Sequence, residues 1–351
     1  MKPILPAFLS VQGLSLTDAE KRLFAQYNPL GVCLFALGCN NIQDKAQLEN
    51  LTKQIKETIG REDVLIAVDQ EGGRVRRLTE SHWTPVAAQA EIKSAVKADL
   101  HARLIAHDLK SSGINVNFAP VLDVLYEETN AVLRSRCFGA DENKVAKLGA
   151  AMVKAYKACG VCPCVKHLPG HGRGQADPHL HLPVINATRA ELEQDFYPFK
   201  QLKNAPMGMV AHIVLSAVDP KKPATCSEKV IKEIIRQEIG FKGLLISDAI
   251  VMQSLQGNIV ERAKRCLTAG CDVVCLGNTD FAANVALCES GLELSEAAAE
   301  RLQTVQKIIT KPLPMANYAY LQNKYCRGLK NIISYNSEYD ATEVLNRLRQ
   351  Q

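Results

Sequence analysis

Tryptophan occurs once in 351 residues, aromatic side chains make up only 5%, and no run of lysine or arginine is interleaved with them. Stacking platforms and electrostatic grooves for nucleic acid are built from such residues, so no nucleic-acid partner is expected. The net charge of +5 is too small and too scattered to alter that. The chain has no apolar stretch long enough to span a bilayer, and Met1-Lys2-Pro3-Ile4 opens no apolar signal segment. Neither a G-x-G-x-x-G nor a P-loop follows any apolar run, and no nucleotide cofactor is indicated. The twelve cysteines lack the spacing of a disulfide-stapled small domain, and several (Cys33, Cys162, Cys164, Cys271, Cys275) sit inside apolar runs as small hydrophobes. A reduced, cytoplasmic protein is expected, without membrane attachment and monomeric.

What is present is an alternation. Short β-branched runs recur at Ile4–Leu9, Gly31–Phe35, Val64–Val68, Ile114–Phe118, Val161–Val165, Met207–Ala211, Gly243–Ser247 and Asp272–Leu276. Amphipathic helical patterns separate them, among them Lys45–Thr58, Val96–Lys110, Lys144–Ala158, Glu191–Leu202, Glu228–Glu238 and Glu261–Ala269. Continuous apolar strands alternating with helices predict a parallel sheet covered on both faces. Eight such units predict an α/β fold, a TIM (β/α)8 barrel over residues 1–311, with a long excursion after Phe118. Pro312-Leu313-Pro314 breaks the last helix, and residues 312–351 are expected to be a C-terminal helical extension packed on the barrel.

Barrel enzymes build their sites at the C-terminal ends of the strands. Those positions offer Asp69, Asp123, Lys166 with His167, His212, Asp248 and Asn278, whereas the opposite ends offer mostly ordinary loop residues. The richest segment is Lys166-His167-Leu168-Pro169-Gly170-His171-Gly172, followed by Asp177-Pro178-His179-Leu180-His181. Glycine and proline make this an irregular loop hung on a strand and crowded with titratable groups, as an enzyme requires.

Asp248 closes a buried strand, where a carboxylate suits a nucleophile or a stabiliser of positive charge; the alternative is a cap for the next helix, which Ser247 could supply instead. Asp177 and His179 stand at i and i+2, so the carboxylate could orient the imidazole for proton transfer, or both could belong to an exposed Asx turn. Asp69 opens Asp69-Gln70-Glu71-Gly72-Gly73-Arg74-Val75, in which the glycine pair permits close backbone approach to a ligand and the carboxylate can accept hydroxyl hydrogen bonds. Lys166, His167, Arg136 and His212 are donors that could orient polar substituents, with a surface salt bridge the alternative for Arg136. His179-x-His181 with His167, His171 and Asp248 could also serve a metal-dependent barrel hydrolase. Histidines in a flexible loop bind metal poorly, however, and no metal or other cofactor is expected.

Taken together, the segments from Asp69, Lys166, Asp177 and Ser247-Asp248, with Ala211-His212-Ile213 and Gly240-Phe241-Lys242-Gly243, resemble the single-domain β-N-acetylglucosaminidases of glycoside hydrolase family 3, of the cytosolic peptidoglycan-recycling type. The resemblance runs in order from about residue 8 to residue 280. It implies a retaining double displacement on a muropeptide saccharide, with Asp248 as nucleophile and His179, paired with Asp177, as acid/base. It also implies that Asp69, Arg136, Lys166 and His167 bind the terminal sugar. Two-domain relatives carry the proton donor on a domain after the barrel; here the barrel itself is expected to supply it. Ala249, Pro178 and His181 depart from the family's usual residues, which leaves an inactive sugar-binding relative as a further alternative.

Overall fold

A computed structural model describes residues 2–36, 39–79, 82–176 and 181–329. The elements in order are β1 (Leu5–Ser10), α1 (Asp18–Tyr27), β2 (Pro29–Leu34), α2 (Lys45–Ile59), β3 (Leu65–Val68), α3 (Ala95–Ser111), β4 (Val116–Asn117), α4 (Ala131–Arg134), α5 (Glu142–Ala158) and β5 (Cys162–Leu168). Then come β6 (Val184–Ile185), α6 (Arg189–Gln201), β7 (Met207–Val210), β8 (Val214–Leu215), β9 (Leu244–Ala249), α7 (Ile259–Ala269), β10 (Val273–Cys275), α8 (Phe281–Cys288), α9 (Glu296–Ile309) and α10 (Tyr318–Cys326).

Eight strands close into a parallel barrel in the order β1-β10-β9-β7-β5-β4-β3-β2, and each matches one of the apolar runs. Their inward side chains, including Phe8, Leu65, Phe118, Cys164, Met207 and Ile246, fill the interior as one cluster. The helices start where the sequence supplies caps. Thr17 with Glu20, Thr188 with Glu191 and Asn258 with Glu261 form reciprocal capping boxes at α1, α6 and α7. All twelve cysteines are free thiols. Among the described residues, no helix is long and apolar enough to cross a membrane.

Three features were not legible in the pattern. β6 and β8 form a separate two-stranded parallel sheet on the rim. Residues Val230–Glu238 wind as a π-helix, with the Ile239 N–H donating to the Ile234 carbonyl. One amphipathic face over two turns cannot distinguish that winding from an α-helix. Finally, α9 inserts Leu302, Val305, Ile308 and Ile309 into the barrel-interior cluster, closing the mouth opposite the strand C-termini. Each of these buried aliphatic side chains contributes roughly 1.5–3 kcal/mol. Asp272 fastens the plug, accepting from Arg301 at 2.6 Å and from Arg236 at 2.7 Å.

Candidate active site

The open mouth holds a cavity lined by strand-end residues, among them Asp69, Glu71, Arg136, Lys166, His167 and Asp248. One wall is a buried ionic lattice. The Lys166 ammonium lies 2.8 Å from Asp69 Oδ1 and 2.7 Å from Glu71 Oε1. Arg136 grips Glu71 with two parallel hydrogen bonds of 2.8 and 2.9 Å, the fork geometry that makes guanidinium–carboxylate pairs strong. Arg77 stands 3.7 Å from the second Asp69 oxygen. Burial by itself would raise the Glu71 pKa, but Arg136 and Lys166 outweigh it and hold the carboxyl well below its usual range. For Lys166, burial lowers and the two carboxylates raise; the net is a raised pKa, so it stays charged.

Asp123, fully buried, organises the neighbouring histidines. Its Oδ2 lies 2.6 Å from His167 Nδ1, and its Oδ1 accepts from the His171 backbone N–H at 2.7 Å. Burial raises and the two histidines lower the Asp123 pKa, with a lowered value as the outcome. Since Nδ1 faces a carboxylate, His167 turns Nε2 toward Arg136, 3.3 Å away, and the cavity. His171 also lines the cavity; among the described residues neither of its ring nitrogens has a hydrogen-bond partner, and burial pushes its pKa down to about 4.

Asp248 ends β9 at the cavity floor, its Oδ1 accepting from the Ala249 N–H at 2.8 Å. It does not cap α7, whose N-cap is Asn258. His212 is placed differently from the sequence expectation. It is fully buried outside the cavity lining, with Nδ1 2.8 Å from Thr225 Oγ1 and Nε2 3.1 Å from the Ala249 carbonyl. A carbonyl only accepts, so Nε2 carries the proton and Nδ1 accepts from Thr225. That geometry makes His212 a prop behind the β9 tip, where the sequence had suggested a donor facing the ligand. The glycine pair also differs from expectation: Gly72 and Gly73 have φ of 100° and 60°, and their close approach is to Ala87, Ala88 and His101 of the protein itself.

Asp177, Pro178 and His179 lie outside the described residues. The segment leading to them is pinned. The Thr129 hydroxyl donates to the Gly172 carbonyl at 2.6 Å, and Arg173 reaches Asp195 of α6 at 2.8 Å. Among the described residues, no group of three His, Cys, Asp or Glu side chains is arranged to hold a metal ion.

A cavity walled by carboxylates and cations at the C-terminal mouth of a closed eight-stranded parallel barrel is placed where barrel enzymes carry their active sites. The sequence profile described as the Glycosyl hydrolase family 3 N terminal domain matches residues 8–310, and the chain belongs to that family. The β-hexosaminidase of Bordetella avium is 34% identical over 321 residues, 88% of this chain and 89% of that one. That of Neisseria meningitidis is 37% identical over 288 residues, 78% of each chain. The crystal structure of native NagZ from Neisseria gonorrhoeae superposes with a TM-score of 0.82 at 32% identity, covering 94% of this chain and 99% of that one.

Sequence reasoning named Asp69, Arg136, Lys166 and His167, which meet here, but gave no role to Glu71 or Arg77 and considered His171 only as a candidate metal ligand. Glu71 sits two residues after Asp69, and a spacing of two in a loop does not tell which way a side chain turns.

Proposed function

We propose that this family 3 hydrolase is a retaining exo-β-N-acetylglucosaminidase that removes the terminal sugar from peptidoglycan fragments during cytoplasmic cell-wall recycling. Asp248 attacks the anomeric carbon from the cavity floor and forms a glycosyl-aspartate. His179, oriented by Asp177, protonates the leaving oxygen and then activates water. Asp69, Arg136, Lys166 and His167 hold the hydroxyls and the N-acetyl group. The observation that carries this reading is the shared cavity: a carboxylate at the β9 tip opposite a rigid wall of donors and acceptors. Such a wall binds a polyol, and an oxocarbenium-like transition state needs an anion beneath it. The names of the relatives support the sugar class.

The test is hydrolysis of an aryl N-acetyl-β-glucosaminide. Asp248→Ala should abolish turnover while the thermal unfolding profile stays near that of the wild type. Trapping with a fluorinated N-acetylglucosaminide should place the label on the peptide containing Asp248. His179→Ala should keep only slow hydrolysis, persisting best on substrates with good leaving groups, which need little protonation. Wild-type turnover by Asp248→Ala, or a label on another peptide, refutes the nucleophile assignment.

A further inference from the structure

Outside the active-site cavity, a second cavity opens between the turn at Ala224–Cys226 and α7, and the two share no lining residue. Four cations, Lys221, Lys222, Lys264 and Arg265, and one carboxylate, Glu228, line it together with Cys226. The Cys226 sulfur lies 3.8 Å from that of Cys266 on α7, which is fully buried behind it. A thiol at a cavity wall beside cations is the environment in which cysteine reacts, and a second thiol in van der Waals contact is what resolves the product.

We propose that Cys226 and Cys266 form a peroxide-oxidised dithiol. The Cys226 thiolate attacks one oxygen of hydrogen peroxide, breaking the O–O bond, to give the sulfenic acid and hydroxide. The Cys266 sulfur then attacks the Cys226 sulfur, giving the disulfide and water as its proton leaves with the departing oxygen. The division of labour follows from the surroundings. A hydrogen bond from Cys266 is the largest influence on Cys226; burial opposes it, and Thr225, Arg265 and Lys222 add to it, bringing the thiol down to about 7. Cys266 moves the other way and keeps its proton. Cys271, the third thiol of this region, directs its sulfur to the Thr225 carbonyl. Cys226, at the cavity wall beside Lys222 and Arg265, is therefore expected to react ahead of the buried Cys266.

The disulfide would also reach the active site. Closing 3.8 Å to a bond of about 2.05 Å draws Cys226 and α7 together. The residue before Cys226 is Thr225, which holds His212 Nδ1, and His212 holds the Ala249 carbonyl next to Asp248. Oxidation should thus lower activity several-fold; this consequence, unlike the oxidation itself, rests on the function proposed above.

The test treats the folded wild-type chain with hydrogen peroxide at pH 7, then with iodoacetamide, and maps peptides without reduction. A linkage between Cys226 and Cys266 that forms first and disappears with dithiothreitol is expected. Cys266→Ala should carry a dimedone adduct on Cys226, and Cys226→Ala should keep Cys266 unreacted and full, peroxide-insensitive activity. Oxidation of other thiols ahead of Cys226, or a bridge from Cys226 to Cys271, overturns the proposal. The mapped disulfide with unchanged activity overturns only the coupling to the site, whereas a wild type that hydrolyses no aryl N-acetyl-β-glucosaminide overturns the proposed function and leaves the mapping result standing.

Discussion

Glu71→Gln is the substitution whose consequences the geometry specifies most closely. Glutamine keeps the shape of the side chain and removes its charge. The carboxylate is only 1% exposed and accepts two hydrogen bonds from Arg136 and one from Lys166, both cations themselves largely buried. Removing one partner of a buried ionic cluster leaves uncompensated charge and costs about 3–5 kcal/mol. In a chain of this size each kcal/mol moves the melting temperature by about 2 °C, so a fall of about 6–10 °C at pH 7 is expected by calorimetry. The pH dependence has a definite sign. A carboxylate whose folded pKa is depressed, as this one is, contributes stability that is complete above its unfolded pKa and fades as pH falls toward the folded value. The difference between wild type and variant should therefore be flat from pH 8 to pH 5. By pH 3.5 it should narrow by about 1 kcal/mol, because the unfolded glutamate, with a pKa near 4.3, has begun to protonate. The KM for the aryl glycoside should rise as Lys166 and Arg136 lose their fixed positions. A melting temperature within about 2 °C of wild type, or a difference that widens in acid, would refute the claim that Glu71 neutralises this wall.

Gly72→Ala places a Cβ against the Ala87 carbonyl and the His101 ring at a φ of 100°; the left-handed backbone alone costs about 1–2 kcal/mol, so a larger loss is expected in thermal unfolding. Tyr325→Phe removes a buried phenol 3.0 Å from the Ala87 N–H and 2.9 Å from His101 Nδ1. Orphaning those partners should cost about 1–3 kcal/mol, read by calorimetry. Leu302→Ala hollows the closed mouth of the barrel, where Leu302 is 3% exposed, and should cost about 2–5 kcal/mol. Its kcat per folded molecule should stay at the wild-type value, because the site lies at the other mouth.

The strands were legible because each is apolar on both faces and bounded by breakers: the run Met207–Ala211 became β7 at Met207–Val210, and Val64–Val68 became β3 at Leu65–Val68. The run Ile114–Phe118 shrank to Val116–Asn117, although backbone hydrogen bonds to the neighbouring strands continue on either side of it, from the Phe118 N–H to Val68 and from the Lys166 N–H to Pro120. The C-terminal extension was expected to pack on the barrel, and Tyr325 is fully buried there. Its hydroxyl meets His101, whose Nε2 in turn lies 2.9 Å from the Glu71 carbonyl. Burial holds His101 near a pKa of 4, so the ring is neutral. Facing a carbonyl, Nε2 must carry the proton, and Tyr325 donates to Nδ1. One tyrosine in a polar helix gives no sign of a partner 224 residues earlier; such pairings are set by the closure of the fold.

The same closure explains why the site residues fall where they do in the sequence. Around the ring the order is β1, β2, β3, β4, β5, β7, β9, β10, returning to β1. β9 is the seventh strand and β3 the third, four places apart in either direction and so on opposite sides of the mouth. Asp69 and Glu71 follow β3, Asp123 follows β4, and Lys166 and His167 end β5. These form one continuous arc. Ion pairs can bind that arc into a rigid wall because its members are neighbours, as the 2.7 Å Lys166–Glu71 contact shows. Asp248 lies across the barrel from that arc. An eight-stranded interior is just wide enough for side chains to fill, so a ring-sized ligand held by the arc at the open mouth would meet Asp248 on its other face. Strand order alone, read from the eight apolar runs, already fixes that opposition.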